Sequence, residues 1–204
     1  MAKPKKKRAR ISAFVMMPFR SEFRRVYECI RRACAANGVD CSRVDQMVFQ
    51  DNILHRIYSQ IASADILIGE MTGDNTNVFY EIGYAHGLGK PVILLRSSAE
   101  RIPFDFRHYP IVIYDDMRGL RQQLNTRMEA IADTLRPGWI VEMANDIRNY
   151  FEATEFTQAS FKRLRPYVGR RDKDTDFREM IRVMPHLFAE TTMEGGKPGL
   201  YLVA

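Results

Sequence analysis

Long apolar runs are missing from this sequence. None approaches the roughly 18 residues that suggest a membrane-spanning helix, so no membrane role is expected. No apolar stretch separates the N-terminal basic residues from a cleavage site, which argues against a secretory leader and for a cytoplasmic protein. Cysteine is scarce: Cys29, Cys34 and Cys41 are odd in number and lack metal-ligand spacing. They read as free thiols in a reducing compartment, which sets aside a disulfide framework and a structural metal site. An excess of one charge is also lacking, despite the formal +6. Residues 1–10 hold six of the 31 basic side chains and no acid, so the other 194 residues carry 25 of each sign. The body of the protein is neutral.

The basic run Pro4–Arg10 has the composition of a nuclear-import signal, and such runs also bind nucleic acid or acidic partners; a solvated tail is the plainer reading. Beyond it the chain alternates. Ile11–Met17 is an apolar strand ended by Pro18. Arg20–Ala36 has helical spacing through Phe23, Val26, Tyr27, Ile30, Ala33 and Cys34, stopped by Asn37-Gly38. A short strand follows at Val39–Val44. Asp51 is placed to cap a helix with Ile53, Leu54, Ile57 and Ile61 on its apolar face. Strands are expected from Asp65, at Pro91–Leu95 and at Ile111–Tyr114, then a helix capped by Asp115 or Asp116 that runs to Leu135. This pattern predicts an α/β domain over residues 11–136, a flavodoxin-like five-stranded parallel sheet of order 2-1-3-4-5.

From Arg136-Pro137-Gly138 onward the alternation stops. Helical spacing recurs over Trp139–Phe151, Thr157–Val168 and Asp176–Phe188, and two strands flank Gly195–Gly199. Residues 137–204 are therefore expected to form a small α+β domain resembling a winged helix. Such modules often present their third helix to DNA. Here ten basic side chains meet ten acidic ones, with a local cluster at Lys162, Arg163, Arg165, Arg170, Arg171 and Lys173, so packing or partner docking competes with nucleic-acid binding.

The most informative stretch is Asp65–Leu95. A buried strand leads into the polar loop Thr72-Gly73-Asp74-Asn75-Thr76-Asn77, then a helix from Val78 to Leu88. Ligands of open α/β sheets bind beyond the carboxyl ends of the strands where the order reverses, here between strands one and three. The turn Met17-Pro18-Phe19-Arg20 and the loop after strand three should line that crevice. Thr76 or Asn77 can cap the helix, Asn75 can face a ligand, Gly73 permits close backbone approach, and Arg20 offers charge to a phosphate. Glu81, about one turn into the helix beside Tyr80, is the candidate catalytic carboxylate. It can attack an anomeric carbon or stabilise an oxocarbenium ion, unless it only complements the helix dipole. His86, five residues on, points about 140° away and reads as packing or dipole-complementing. The segment Ile102–Tyr109 reads as lid, oligomer contact or packing.

The residues Phe14–Arg20 (FVMMPFR) together with Ala64–Leu95, above all NVFYEIGYAHGLGKP, resemble the nucleoside 2-deoxyribosyltransferase-like group, related in fold to TIR domains, over residues 11–135. The resemblance implies that Glu81, in Glu81-Ile82-Gly83-Tyr84-Ala85, is the nucleophile on the sugar, and that Asp65 contacts the base. By analogy with TIR-type enzymes, Glu81 would instead cleave nicotinamide from NAD. Phe14 and Met16 occupy the region where the transferases carry a tyrosine, and Asn75 replaces an aspartate. The resemblance further implies an enzyme on an N-glycosidic bond with a nucleotide or nucleoside substrate (NAD or a deoxynucleotide included), no separate cofactor or metal, and a homo-oligomer. A role in anti-phage defence follows the same analogy. The competing readings are a non-catalytic nucleotide sensor or adaptor, and a DNA-associated regulator working through the tail and the C-terminal module.

Overall fold

The computed structural model describes residues 11–44, 53–169 and 173–203. The basic tail, Asp51, Arg170 and Arg171 lie outside the described residues. The chain divides into two compact units, Ile11–Ala35 with Val39–Ala132, and Asp133 onward with Ala36–Gly38.

The first unit is built on five parallel strands: β1 (Ile11–Met16), β2 (Val39–Arg43), β3 (Ile66–Glu70), β4 (Val92–Ser97) and β5 (Ile111–Tyr114). Their order is β2-β1-β3-β4-β5, as expected of a flavodoxin-like α/β fold. Ala13 pairs with both Cys41 and Ile66, so β1 is the interior strand at which the order reverses. The connecting helices are α1 (Arg24–Ala36), α2 (Ile53–Ser63), α3 (Thr76–Gly87) and α4 (Met117–Leu135). A 3-10 turn at Ser21–Phe23 precedes α1. Alternation along each strand splits the apolar residues between two cores. Ala13, Val15, Ile68 and Leu95 face Ile30 and Cys34 of α1 and Leu120 and Leu124 of α4. Phe14, Met16, Leu67 and Leu94 face Ile57 and Ile61 of α2 and Val78, Ile82 and Ala85 of α3. Each fully buried Leu or Ile contributes about 1.5–3 kcal/mol, which fixes which helix lies on which face.

One glycine sets the height of α3 above the sheet. A Cβ on Gly69 of β3 would come within 2.7 Å of Ile82 Cδ1 and 2.8 Å of Ile82 Cγ1, closer than any side chain permits. The helix therefore rests directly on the strand backbone.

The second unit contains α5 (Gly138–Thr154), β6 (Gln158–Ser160), α6 (Phe161–Leu164), α7 (Asp174–Val183), β7 (Phe188–Met193) and β8 (Lys197–Leu202). Its antiparallel sheet has order β6-β8-β7. Phe161 stacks on Phe177 at 4.8 Å within a core that includes Ile147, Met180, Phe188 and Leu200. The expected helix over Thr157–Val168 is corrected: Gln158–Ser160 joins the sheet through β8, and Ser160 caps α6 by accepting from Arg163 N–H at 3.3 Å. Pro198 and Gly199, expected in the turn, belong to β8.

Candidate active site

Both loops expected to form the crevice leave neighbouring strands at the carboxyl edge of the sheet. After β1, Met17 and Pro18 are buried, while Phe19 and Arg20 are exposed. Arg20 reaches Glu22 at 3.6 Å. Arg43, closing β2, was not anticipated. Its guanidinium sits 4.1 Å from the Tyr27 ring centroid and 5.8 Å from that of Phe19, and Nη1 donates to Met17 Sδ at 3.5 Å. The end of β1 is thus arranged around an arginine supplied by the next strand.

The loop after β3 is held from beneath by charge. Glu70 is fully buried, accepting from Thr72 N–H at 2.9 Å and from the Tyr114 hydroxyl at 3.1 Å. Burial raises the Glu70 pKa, and these hydrogen bonds counter the rise. Arg96, 2% exposed, donates to Met71 C=O at 2.7 Å and pairs with Asp74 at 2.9 Å and Glu100 at 3.1 Å. Glu100 also accepts from Gly73 N–H, at 2.9 and 3.0 Å. Gly73 has φ 82°, and Asp74 holds φ 48°, a left-handed conformation uncommon outside glycine that its ion pair secures.

These contacts correct part of the expected ligand-binding set. Gly73, expected to permit close backbone approach, has its N–H already occupied by a carboxylate of the protein. Asp74 is committed to Arg96. Asn75, expected to turn towards a ligand, is the N-cap of α3: its Oδ1 accepts from Asn77 N–H at 3.0 Å and Val78 N–H at 3.3 Å. Thr76 and Asn77, expected as caps, are the first two residues of the helix. Thr72 accepts from Ser97 N–H at 3.0 Å.

Asp65 requires a larger correction. It precedes β3 at the amino edge of the sheet, where its Oδ2 accepts from both the N–H and the hydroxyl of Ser12 at 2.8 Å. The expected crevice is at the opposite end of the same strand. The resemblance implies base contact for Asp65, whereas its carboxylate is engaged by Ser12 at the amino edge.

Glu81 lies in the second turn of α3, half-buried beside the half-buried Tyr58 of α2 and the exposed Tyr80 and Tyr84. The Tyr58 ring lies 4.9 Å from Tyr84 and 6.3 Å from Tyr80. The Tyr58 hydroxyl's pKa is raised, first by its hydrogen bond with Tyr80 and further by nearby charge that includes Glu81. Among the described residues Glu81 makes no hydrogen bond or ion pair, and burial alone pushes its pKa up to about 7. A carboxylate in that state is poised between acid and base near neutrality.

The other face of α3 is covered. Phe106, in a 3-10 turn at Phe104–Phe106, packs on Phe79 at 5.3 Å, and Tyr109 stacks on His86 at 4.4 Å. Burial lowers the His86 pKa, which fits packing and not a charged dipole partner. A cavity of about 410 Å³ opens at the ends of β4 and β5, lined by Arg96, Ser98, Glu100, Arg101, Arg107 and Ile113 among others; Glu81 does not line it. No group of three His, Cys, Asp or Glu among the described residues could hold a metal ion. No described helix is long and apolar enough to cross a membrane.

No family model matches this sequence, and no curated protein matches it. Solved structures are similar to it, among them the following two. One is the CMP N-glycosidase of Clostridium botulinum, 20% identical with a TM-score of 0.48 over 57% of this chain and 98% of that one. The other is a 2-deoxyribosyltransferase from Bacillus psychrosaccharolyticus, 18% identical with a TM-score of 0.46 over 55% of this chain and 95% of that one. The fold rests on the strand order itself.

Proposed function

We propose that this protein is an enzyme acting on the N-glycosidic bond of a nucleoside or nucleotide, with Glu81 as the group that meets the sugar. The observation that carries this reading is the state of Glu81. It is half-buried at the edge of an aromatic cluster, with no partner among the described residues and a pKa of about 7. A structural carboxylate at that depth gains nothing for the fold, because desolvation is not offset by any hydrogen bond.

In its ionised form Glu81 either attacks the anomeric carbon as the C–N bond breaks, or stabilises the oxocarbenium ion as the base departs with the bonding pair. Water then completes a hydrolysis, or a second base completes a transfer. The tyrosines beside it supply flat apolar area for a base or sugar. The names of the two similar structures, a CMP N-glycosidase and a 2-deoxyribosyltransferase, agree with this chemistry. NAD and deoxynucleotides belong in the substrate panel by the same resemblance, as does a role as defence effector.

We read the C-terminal unit, with its helix–strand–helix–helix–hairpin order, as a winged-helix-like module used for packing or partner docking. Arg165 pairs with Asp174 at 2.8 Å, Arg178 with Glu190 at 2.9 Å and Arg182 with Glu179 at 3.8 Å, which leaves α7 little free charge for a phosphate backbone.

The test is incubation with a nucleoside and nucleotide panel including NAD, with mass analysis of released base. Glu81→Gln is expected to lower turnover by about a thousandfold or more while the fold is retained. Equal rates in the two proteins would remove Glu81 from the chemistry. Calorimetric binding without turnover in either protein would replace the enzyme with a sensor.

A further inference from the structure

The neutral balance of the body conceals a local concentration of one sign. On the face of the sheet away from Glu81, a cavity of about 470 Å³ lies between α1 and α4. Its walls are Arg24, Arg25 and Arg32 from one helix and Arg118 and Arg121 from the other. All five are exposed, and none forms an ion pair or hydrogen bond among the described residues. Glu28, the acid in the lining, is already paired at 2.9 Å with Arg31, which lies outside it. At the floor Cys29 Sγ donates to Met117 C=O at 3.6 Å, joining the two helices beneath the arginines.

The fold gains little from this arrangement beyond a long-range attraction of Arg24 and Arg32 for Glu28. Arg24 and Arg25 open α1 and Arg118 is the second residue of α4, so all three stand at the positive ends of helix dipoles, where a cation is disfavoured. The Arg118–Arg121 pair, three residues apart, adds like-charge repulsion. Asp116 caps α4 by accepting from Gly119 N–H at 2.7 Å, so the bare helix end is not the attraction. The guanidiniums are.

We infer that this groove binds a compact ligand carrying several phosphates, of the inorganic polyphosphate or nucleoside polyphosphate class. Planar guanidiniums fork onto phosphate oxygens in pairs. Arg25 and Arg32 lie seven residues apart, roughly 10 Å along the helix, which suits a short phosphate chain better than one phosphate. The groove is about 470 Å³ with Cys29 and Met117 in its lining, a size that favours a small molecule over a continuous strand of nucleic acid. The site is independent of Glu81, so it stands or falls apart from the enzymatic reading.

Titration calorimetry of the full chain with inorganic tripolyphosphate and with ATP, at about 0.15 M salt, tests the inference. The double variant Arg25→Ala/Arg121→Ala removes one cation from each wall at exposed positions, where substitutions leave folding largely intact. It is expected to weaken binding of at least one probe about tenfold or more. Tripolyphosphate bound as tightly as ATP assigns the site to the phosphate chain; tighter ATP assigns it to a nucleoside polyphosphate. Arg56→Ala/Arg148→Ala and Lys5→Ala/Lys6→Ala/Lys7→Ala, which remove charge elsewhere, are expected to leave binding unchanged. Three results overturn it: no binding of either probe by the wild type, loss that follows the tail lysines with the groove variant unaffected, or tighter binding of a single-stranded oligonucleotide through the same arginines.

Discussion

Glu70 and Glu81 are eleven residues apart, one at the end of β3 and the other in α3; burial raises the pKa of both, but the two are answered differently. Glu70 is fully enclosed, yet its oxygens receive a backbone N–H and a tyrosine hydroxyl, and the Arg96–Glu100 pair is built around the same loop. Glu81 is less deeply buried and receives nothing among the described residues. Desolvation acts on both; hydrogen bonds answer it at only one. The first arrangement holds a loop in place, and the second leaves a carboxylate ready for something that arrives.

The comparison breaks most readily at the clamp. Arg96→Ala should cost about 3 kcal/mol in denaturant unfolding, because it strips Asp74 and Glu100 of their buried cation and frees the Met71 carbonyl. An unchanged midpoint would mean that the loop is held by other contacts. The next effect is on rate. If Glu81 works as a carboxylate, kcat/KM should fall about a hundredfold from pH 8 to pH 5 as it takes up a proton around its pKa of about 7. A flat profile would detach its titration from the chemistry.

Smaller effects test the stability side. Glu70→Gln leaves one of its two donors facing an amide N–H₂, and should destabilise by about 1–2 kcal/mol. Glu81→Gln should do the reverse. A folded-state pKa raised above 4.5 makes the native state hold its proton more tightly than the unfolded chain does, so stability falls as pH rises from the unfolded value through about 7. Removing that charge should stabilise the protein by about 1–2 kcal/mol at pH 8, after allowance for partial exposure, and by nothing measurable near pH 4. Two Glu→Gln variants with stability changes of opposite sign would sharpen the distinction; the same sign would erase it.

The sheet was legible because parallel strands buried on both faces read as unbroken apolar runs, and the helices between them repeat at 3.6 residues. Glu81 could be singled out because the chemistry and the surrounding motif occupy one short segment. The clamp could not. Glu70, Thr72, Arg96, Glu100 and Tyr114 come from three strands and two loops, and their meeting depends on register. A faint signal existed: Glu70 and Arg96 are charged residues within otherwise apolar strands, positions that demand partners. Asp65 differs from what the resemblance implies because matching a motif position does not fix the side chain's partners, and here Ser12 of the neighbouring strand takes its carboxylate. Strand β6 escaped notice because three residues with polar neighbours carry no periodicity, and only pairing with β8 makes them a strand.

Gly69 has a consequence beyond packing. Ile82 occupies the space a methyl group would take, and Glu81 is the residue just before it in the helix. The height of the Glu81 carboxylate above the strand ends therefore depends in part on a side chain that is absent. Alanine or serine at residue 69 would act as graded shims under α3, adjusting the reactive group without altering any atom of it.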